Sequence, residues 1–184
     1  ARDLPRAFGP YVLWRLLGKG GYGQVFMARR LDDASKIPTS VVVKILRKER
    51  MNDREFVERF RHEARIAVRI HSPHIAMVHE SGAVGDELFI AMEYIRGRPL
   101  SRVLADLGRR EQFLSAAKVV ELCAGGLRGL ADLHAALDPD TGAPLRIVHR
   151  DVSPKNLIIS RSDGMKLIDL GEIGERRVGK DVDL

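Results

Sequence analysis

Between Val148 and Gly171 the chain reads VHRDVSPKNLIISRSDGMKLIDLG, and three polar side chains within it, Asp151, Asn156 and Asp169, have the types and spacing to do chemistry. Each borders a short apolar run: "IVH" before the first, "NLIIS" after the second and "MKLI" before the third. A carboxylate drawn among apolar neighbours is costly unless it meets a cation or a full set of hydrogen bonds. Two carboxylates and an amide oxygen gathered together supply the hard oxygen ligands that Mg²⁺ prefers and shares with phosphates. An Asp left free of metal can receive a proton from a hydroxyl. Chemistry of this kind needs a nucleotide site elsewhere in the chain. The plainer reading is a β-hairpin with Asp at its turns, and these residues alone leave both open.

The elements that must position these groups begin with strands. Tyr11–Gly18 and Gln24–Leu31 have strand composition. Between them lies the glycine-rich turn Gly18-Lys19-Gly20-Gly21-Tyr22-Gly23. A polar loop, Asp32–Ser40, leads to Val41–Leu46, β-branched and apolar except for Lys44. Asn52–Ile70 is predicted to be a helix, with Asn52 and Glu55 as a capping box and Ser72-Pro73 as the stop. Its inner stripe is Phe56, Phe60, Glu63, Ala67 and Ile70. Glu63 is a carboxylate on an otherwise apolar stripe and Lys44 the one charge in its strand, so the two are inferred to pair. Ile75–Gly97 adds two strands around a Gly-Asp turn, making five strands and one helix.

From Pro99 the pattern turns helical, with a short helix near Ser101–Leu107 and a long one near Ser115–Leu137. The long one is expected to bury Cys123, Leu127, Leu130, His134 and Leu137. Gly125, Gly126 and Gly129 each cost a helix about 1 kcal/mol relative to Ala, so something is expected to pack closely against them. Asp138–Pro144 is a turn-rich connector, and no internal repeat is present.

Composition bounds the rest. At 184 residues, with 45% hydrophobic and 30% charged residues, the chain makes one domain with a sizeable core or a large part of a bigger one. No apolar run approaches the ~20 residues of a membrane-spanning helix, and the start carries no signal-peptide core. It reads as the edge of a longer chain. One cysteine, Cys123, excludes an internal disulfide and a multi-thiolate zinc site, which fits a reducing, cytoplasmic setting. Residues 1–50 hold 11 Lys/Arg against 4 Asp/Glu. No aromatic stripe accompanies them, so a solvated basic surface is expected rather than a nucleic-acid face.

The glycine spacing Gly18-x-Gly20-x-x-Gly23 is shared with dinucleotide-binding folds, but those need a helix directly afterwards. Here the strand-like QVFMARRL follows, so the turn is a hairpin flap whose bare backbone can approach phosphates. In order, the chain then carries Gly18-x-Gly20-x-x-Gly23-x-Val25, Lys44 in V-V-V-K and Glu63 on a helix. His149-Arg150-Asp151-x-x-x-x-Asn156 and Asp169-Leu170-Gly171 complete the series. This ordered set resembles the eukaryotic-type protein kinase family, with a bacterial-looking catalytic loop, over essentially the whole chain.

The resemblance implies an α+β fold of two lobes. Residues 1–97 would form an ATP-binding lobe of five antiparallel strands plus one helix. Residues 98–184 would form an incomplete, mostly helical catalytic lobe. The implied activity is transfer of the ATP γ-phosphate to a protein serine or threonine hydroxyl, with Mg²⁺. Gly18, Lys19, Gly20, Gly21, Tyr22 and Gly23 would cover the phosphates, and Lys44, paired to Glu63, would hold two of them. Val25 and Val42 would lie above the adenine and Ile158 below it. Glu93 and Ile95 would belong to the hinge, just after Met92. Asp151 would accept or orient the substrate proton, and Asn156 and Asp169 would bind metal. Arg150 resembles the arginine that pairs with a phosphorylated activation loop.

Departures from the family pattern are as informative. Ser153 stands where Ser/Thr-specific members carry a lysine, and Lys155 is the candidate substitute. Leu170 replaces a Phe, and Val42 a small Ala. The chain ends 13 residues after Gly171, before the family's peptide-docking loop and remaining helices, which reads as truncation in the activation segment. The alternatives are a pseudokinase scaffold and a small-molecule phosphotransferase of related fold.

Overall fold

A computed structural model of the chain describes residues 4–20, 23–31, 40–46, 52–162, 164–169 and 174–175. These fall into two compact units, 1–71 with 76–95 and 72–75 with 96–184.

The first unit is built on one antiparallel sheet. Its strands are β1 (Arg6–Phe8), β2 (Tyr11–Lys19), β3 (Gly23–Arg30), β4 (Ser40–Leu46), β5 (Val78–Val84) and β6 (Glu87–Glu93). Their order across the sheet is β1-β2-β3-β4-β6-β5. Five of the six strands follow from the sequence pattern; β1 does not, since RAF is too short to show a period. It pairs Phe8 with Tyr11 and carries Phe8 into the core.

Period-two alternation gives this sheet two distinct faces. Leu13, Phe26, Ala28, Val41, Val43, Ile45, Phe89 and Ala91 pack together with Phe8 and Tyr11 on one face. Phe89 meets both Phe8 and Tyr11 edge-on, the favoured aromatic geometry.

Helix α1 (Arg54–Ala67) belongs to the same unit. Its N-cap is Asp53, whose carboxylate accepts the Phe56 amide at 3.1 Å, rather than the expected Asn52. The two are adjacent and chemically equivalent caps, so sequence could not separate them. Its buried side is Val57, Phe60, Ala64 and Ala67, with Phe56 only half-buried. The expected stripe was therefore rotated by part of a turn. The side chain of Glu63 lies outside the described residues, as do Gly21, Tyr22, Leu170 and Gly171.

The second unit holds β7 (Gly97–Pro99), α2 (Leu100–Arg109), α3 (Ala116–His134), β8 (Ile147–Val148), β9 (Leu157–Ser160), β10 (Met165–Leu167) and β11 (Gly174–Glu175). β9 and β10 form a hairpin that β7 extends, and β11 pairs with β8. Ser115 caps α3 by accepting the Lys118 amide.

The buried face of α3 is Leu122, Gly125, Gly129 and Leu133. This corrects the expected stripe: Cys123, Leu127, His134 and Leu137 are exposed. The glycines decide the face. A Cβ on Gly125 would lie 2.9 Å from the Met165 Cβ, and one on Gly129 would lie 3.0 Å from the His74 carbonyl oxygen. Close approach of β10 and of residue 74 thus outweighs the more hydrophobic side chains on the opposite face.

Candidate active site

The first unit presents a row of candidate residues on the sheet face opposite its aromatic core. Residues directly opposite one another in neighbouring strands share a face. Gly18 lies opposite Val25, Val25 opposite Lys44, and Lys44 opposite Ile90. One pleat along, Val42 lies opposite Met27 and Met92. Gly18, Val25, Val42, Lys44 and Met92 are therefore one surface, while Val41, Val43 and Ile45 turn the other way into the core.

The three described flap glycines have different reasons to be glycine. A Cβ on Gly23 would fall 2.2 Å from the Ile45 carbonyl oxygen, so packing requires glycine there. Gly18 and Gly20 would meet nothing within 4 Å. Packing makes no demand at those two, and what glycine provides is bare backbone beside Lys19. That suits an anion's approach. The turn itself is closed by the Gly20 amide donating to the Gly23 carbonyl at 2.9 Å.

At the end of β6, the Glu93 amide donates to the Met77 carbonyl at 2.8 Å, and the Glu93 carboxylate accepts the Met77 amide at 3.2 Å. This pair of hydrogen bonds holds the segment running to Ile95, itself buried.

The second unit holds the remaining candidates, Arg150, Asp151, Lys155 and Asn156 on the loop between β8 and β9, Ile158 in β9 and Asp169 just past β10. His149, only 1% exposed, anchors it. The Asp151 amide donates to His149 Nδ1 at 3.3 Å, which assigns the ring proton to Nε2 and makes it the donor to the Ile168 carbonyl at 3.1 Å. One imidazole thereby ties the start of the loop to the residue before Asp169. Asn156, also buried, spends its amide nitrogen on the Asp151 carbonyl at 2.9 Å and the Asp151 carboxylate at 3.0 Å. The Asn156 backbone carbonyl accepts the Ile168 amide at 2.9 Å.

Lys155, four residues after Asp151, places its Nζ 2.8 Å from the carboxylate. The hydrogen bond from Lys155 is the largest influence holding the Asp151 carboxyl below its ordinary range; burial opposes it, and the Asn156 hydrogen bond adds to it. Ser153, at the position of the family's lysine, has a buried hydroxyl oxygen with no hydrogen-bond partner. The cation that pairs with Asp151 is Lys155.

Arg150 and Asp169 both sit at positive φ, 64° and 61°. L-residues adopt that conformation at a cost of about 1–2 kcal/mol, and it is kept where surroundings over-determine it. Arg150 is exposed. Ile158 lies half-buried in β9, opposite Lys166 in β10 and Pro99 in β7.

The donor set fits a hard divalent cation. With its amide nitrogen committed to Asp151, the Asn156 side chain presents its Oδ1 oxygen, of the type a hard cation takes, and Asp169 follows the residue bonded to the Asn156 backbone. Among the described residues no group of three or more His, Cys, Asp and Glu gathers as a metal site. Two oxygens from the protein, with the balance from phosphate and water, is how Mg²⁺ is commonly held. Sequence reading did not single out His149 as a brace or foresee that Lys155 points at Asp151. Lys155 lies within the tight turn at Pro154–Asn156, whereas the His149 contact reaches Ile168, 19 residues on.

Comparison with known proteins bears on the same residues. A family model described as "Protein kinase domain" matches residues 11–180. The tyrosine-protein kinase MasK of Myxococcus xanthus is 35% identical over 168 residues, which cover 91% of this chain and 26% of that protein. The serine/threonine-protein kinase PknA of Mycobacterium tuberculosis is 36% identical over 168 residues, 89% of this chain and 35% of that protein. The crystal structure of the Mycobacterium tuberculosis PknI kinase domain superposes with a TM-score of 0.72 at 29% identity, over 93% of this chain and 62% of that one. The chain thus spans roughly a quarter to a third of the curated relatives it matches.

Proposed function

The chain belongs to the protein kinase family, and on that premise we propose that it carries the nucleotide-binding and catalytic-loop part of a serine/threonine protein kinase. The observation that carries the reading is the setting of Asp151. Its carboxylate is kept ionised beside Lys155 and is aimed by Asn156, which also keeps an oxygen for metal.

Bound Mg·ATP supplies the transferable phosphoryl group and the metal charge that screens it. The rest falls to the protein's own residues. Gly18–Gly23 offers backbone to the phosphates, and Lys44 neutralises them in partnership with Glu63. Val25, Val42, Met92, Glu93, Ile95 and Ile158 accommodate the base. Asn156 and Asp169 hold the metal. Asp151 orients the acceptor hydroxyl and takes its proton as the acceptor oxygen bonds to the γ-phosphorus and the bond from that phosphorus to the β–γ bridging oxygen breaks, with ADP as the leaving group. A carboxylate held below its ordinary range is a weak base, so orientation precedes proton transfer, as suits a loose phosphoryl-transfer transition state. Lys155 stands in for the lysine absent at Ser153. Arg150 is assigned to pair with a phosphorylated activation segment.

The test is Mg·ATP turnover on a generic protein substrate by the full-length protein. Lys44→Met and Asp151→Ala are each expected to lose transfer, with nucleotide binding largely kept in Asp151→Ala. If the unsubstituted protein binds Mg·ATP yet transfers no phosphate, the pseudokinase reading takes over. A serine/threonine acceptor is proposed from the likeness to PknA, and the likeness to MasK makes tyrosine the competing acceptor. Phosphoamino-acid analysis of the product separates the two.

A further inference from the structure

A polar cluster outside the loop just described joins helix α3 to the segment 72–75. The Asp132 carboxylate, through one oxygen, accepts the Ser72 hydroxyl at 2.6 Å and faces His74 Nδ1 at 2.8 Å. The Ser72 oxygen in turn accepts the His74 amide at 2.9 Å. Nδ1 at that distance from a carboxylate is the protonated nitrogen. Three short hydrogen bonds therefore converge on a four-residue segment without secondary structure of its own.

What the segment does next gives the cluster its consequence. The His74 carbonyl accepts the Leu167 amide at 2.8 Å, and Ile75 forms a parallel bridge with Leu167. Ile75 and Leu167 are both 1% exposed. Gly129, one turn before Leu133 on α3, is the residue whose missing Cβ allows the His74 carbonyl to come this close. Beyond Leu167, Ile168 is held by His149 and Asn156, and Asp169 follows in its left-handed conformation. Residues 167–168 are thus clamped between the catalytic loop on one side and the segment 72–75 on the other. Only the second clamp depends on side chains remote from the site.

We propose that Asp132 is a positioning residue for the metal ligand Asp169: by holding Ser72 and His74 it fixes the His74 carbonyl against Leu167, and so sets where the Asp169 carboxylate stands. This role rests on the reading of Asp169 as a metal ligand. Groups that brace a metal ligand from outside its first contacts are worth about 10- to 100-fold in metal affinity.

The experiment measures Mn²⁺ binding by electron paramagnetic resonance in the full-length protein with ADP present, and ADP binding without metal by calorimetry. Asp132→Ala is expected to weaken Mn²⁺ about tenfold while metal-free ADP binding stays unchanged. Asp132→Asn keeps an oxygen where both donors converge, so it is expected to restore Mn²⁺ affinity to near that of the unsubstituted protein. Leu122→Ala, a buried change on the same helix away from the cluster, is expected to lower stability and leave Mn²⁺ affinity alone. Ser72→Ala removes one donor and is expected to cost about threefold, which decides the matter should Asp132→Ala not fold.

Unchanged Mn²⁺ affinity in Asp132→Ala, or in Ser72→Ala where only that variant folds, overturns the role. So does an equal loss of Mn²⁺ and metal-free ADP binding, or the same Mn²⁺ loss in Leu122→Ala. An unsubstituted protein that binds ADP but no Mn²⁺ overturns the metal-ligand reading and this role with it, whereas the other outcomes leave that reading standing.

Discussion

Lys155 and Asp151, four residues apart, form an ion pair with 65% of the lysine side chain and 28% of the aspartate side chain exposed. Solvent screens such a pair, so its contribution to stability is small. Its effect on chemistry is more direct. Asp151 titrates below its ordinary range chiefly because Lys155 hydrogen-bonds its ionised form. A depressed folded-state value stabilises the fold above the unfolded-state value, and that contribution is lost as pH falls through the folded one. Lys155→Ala removes the main cause, so the acid limb of the kcat/KM profile is expected to move to higher pH. The turnover number is expected to fall on the order of tenfold, short of the ~10²–10³ of a fully desolvated donor, because Lys155 is exposed. A pH profile with the same acid limb in both proteins would show that Lys155 does not control Asp151.

Among the elements, α3 shows how backbone proximity selects a helix face. Its three glycines, Gly125, Gly126 and Gly129, are not equivalent. At Gly125 a new Cβ meets the Met165 Cβ at 2.9 Å, whereas at Gly126 the nearest atoms are the ends of the Leu157 and Met165 side chains at 3.5 and 3.7 Å. Gly126→Ala therefore gains helix propensity in open contact, and is expected to stabilise the protein by about 0.5–1 kcal/mol. Gly125→Ala gains the same propensity but must displace a strand atom; overpacking costs about 1–3 kcal/mol, so the net change is expected to be destabilising. Urea unfolding of the two variants checks this, and stabilisation of both would mean that β10 yields more readily than its position indicates.

At the scale of the 184-residue chain, the other face of α3 is exposed. Val120 and Leu127, one heptad apart, are 68% and 63% exposed, with Cys123 between them also exposed. Phe113, just before the helix, is 93% exposed. A contiguous apolar stripe of this kind favours association between molecules. In the 184-residue chain the double variant Val120→Lys, Leu127→Lys is expected to lower light scattering at a given concentration, while changing unfolding free energy by no more than about 0.5 kcal/mol per site. Equal scattering from both proteins would place the sticky surface elsewhere. No helix among the described residues is long and apolar enough to cross a membrane.

Much of this protein is legible in its residues because the features concerned are local. Strand alternation, the Gly18–Gly23 turn and the His149–Asn156 loop depend on neighbours within a few positions, and so the five long strands and the kinase resemblance follow from one chain. The tripeptide β1 was too short to show a period, and the Asp53 cap was indistinguishable from Asn52 next door. The faces of the helices were not local questions. Hydrophobic spacing on α3 pointed to Leu127 and Leu137, but Met165, Leu167 and the His74 carbonyl approach where no side chain stands, and only the tertiary structure brings them there. The same holds for Asp132, an ordinary helix carboxylate in sequence, whose partners lie 58 and 60 residues away. Residue types and short spacings determined which chemistry is available; the packing of β10 and residues 72–75 on α3 decided which side chains hold it in place.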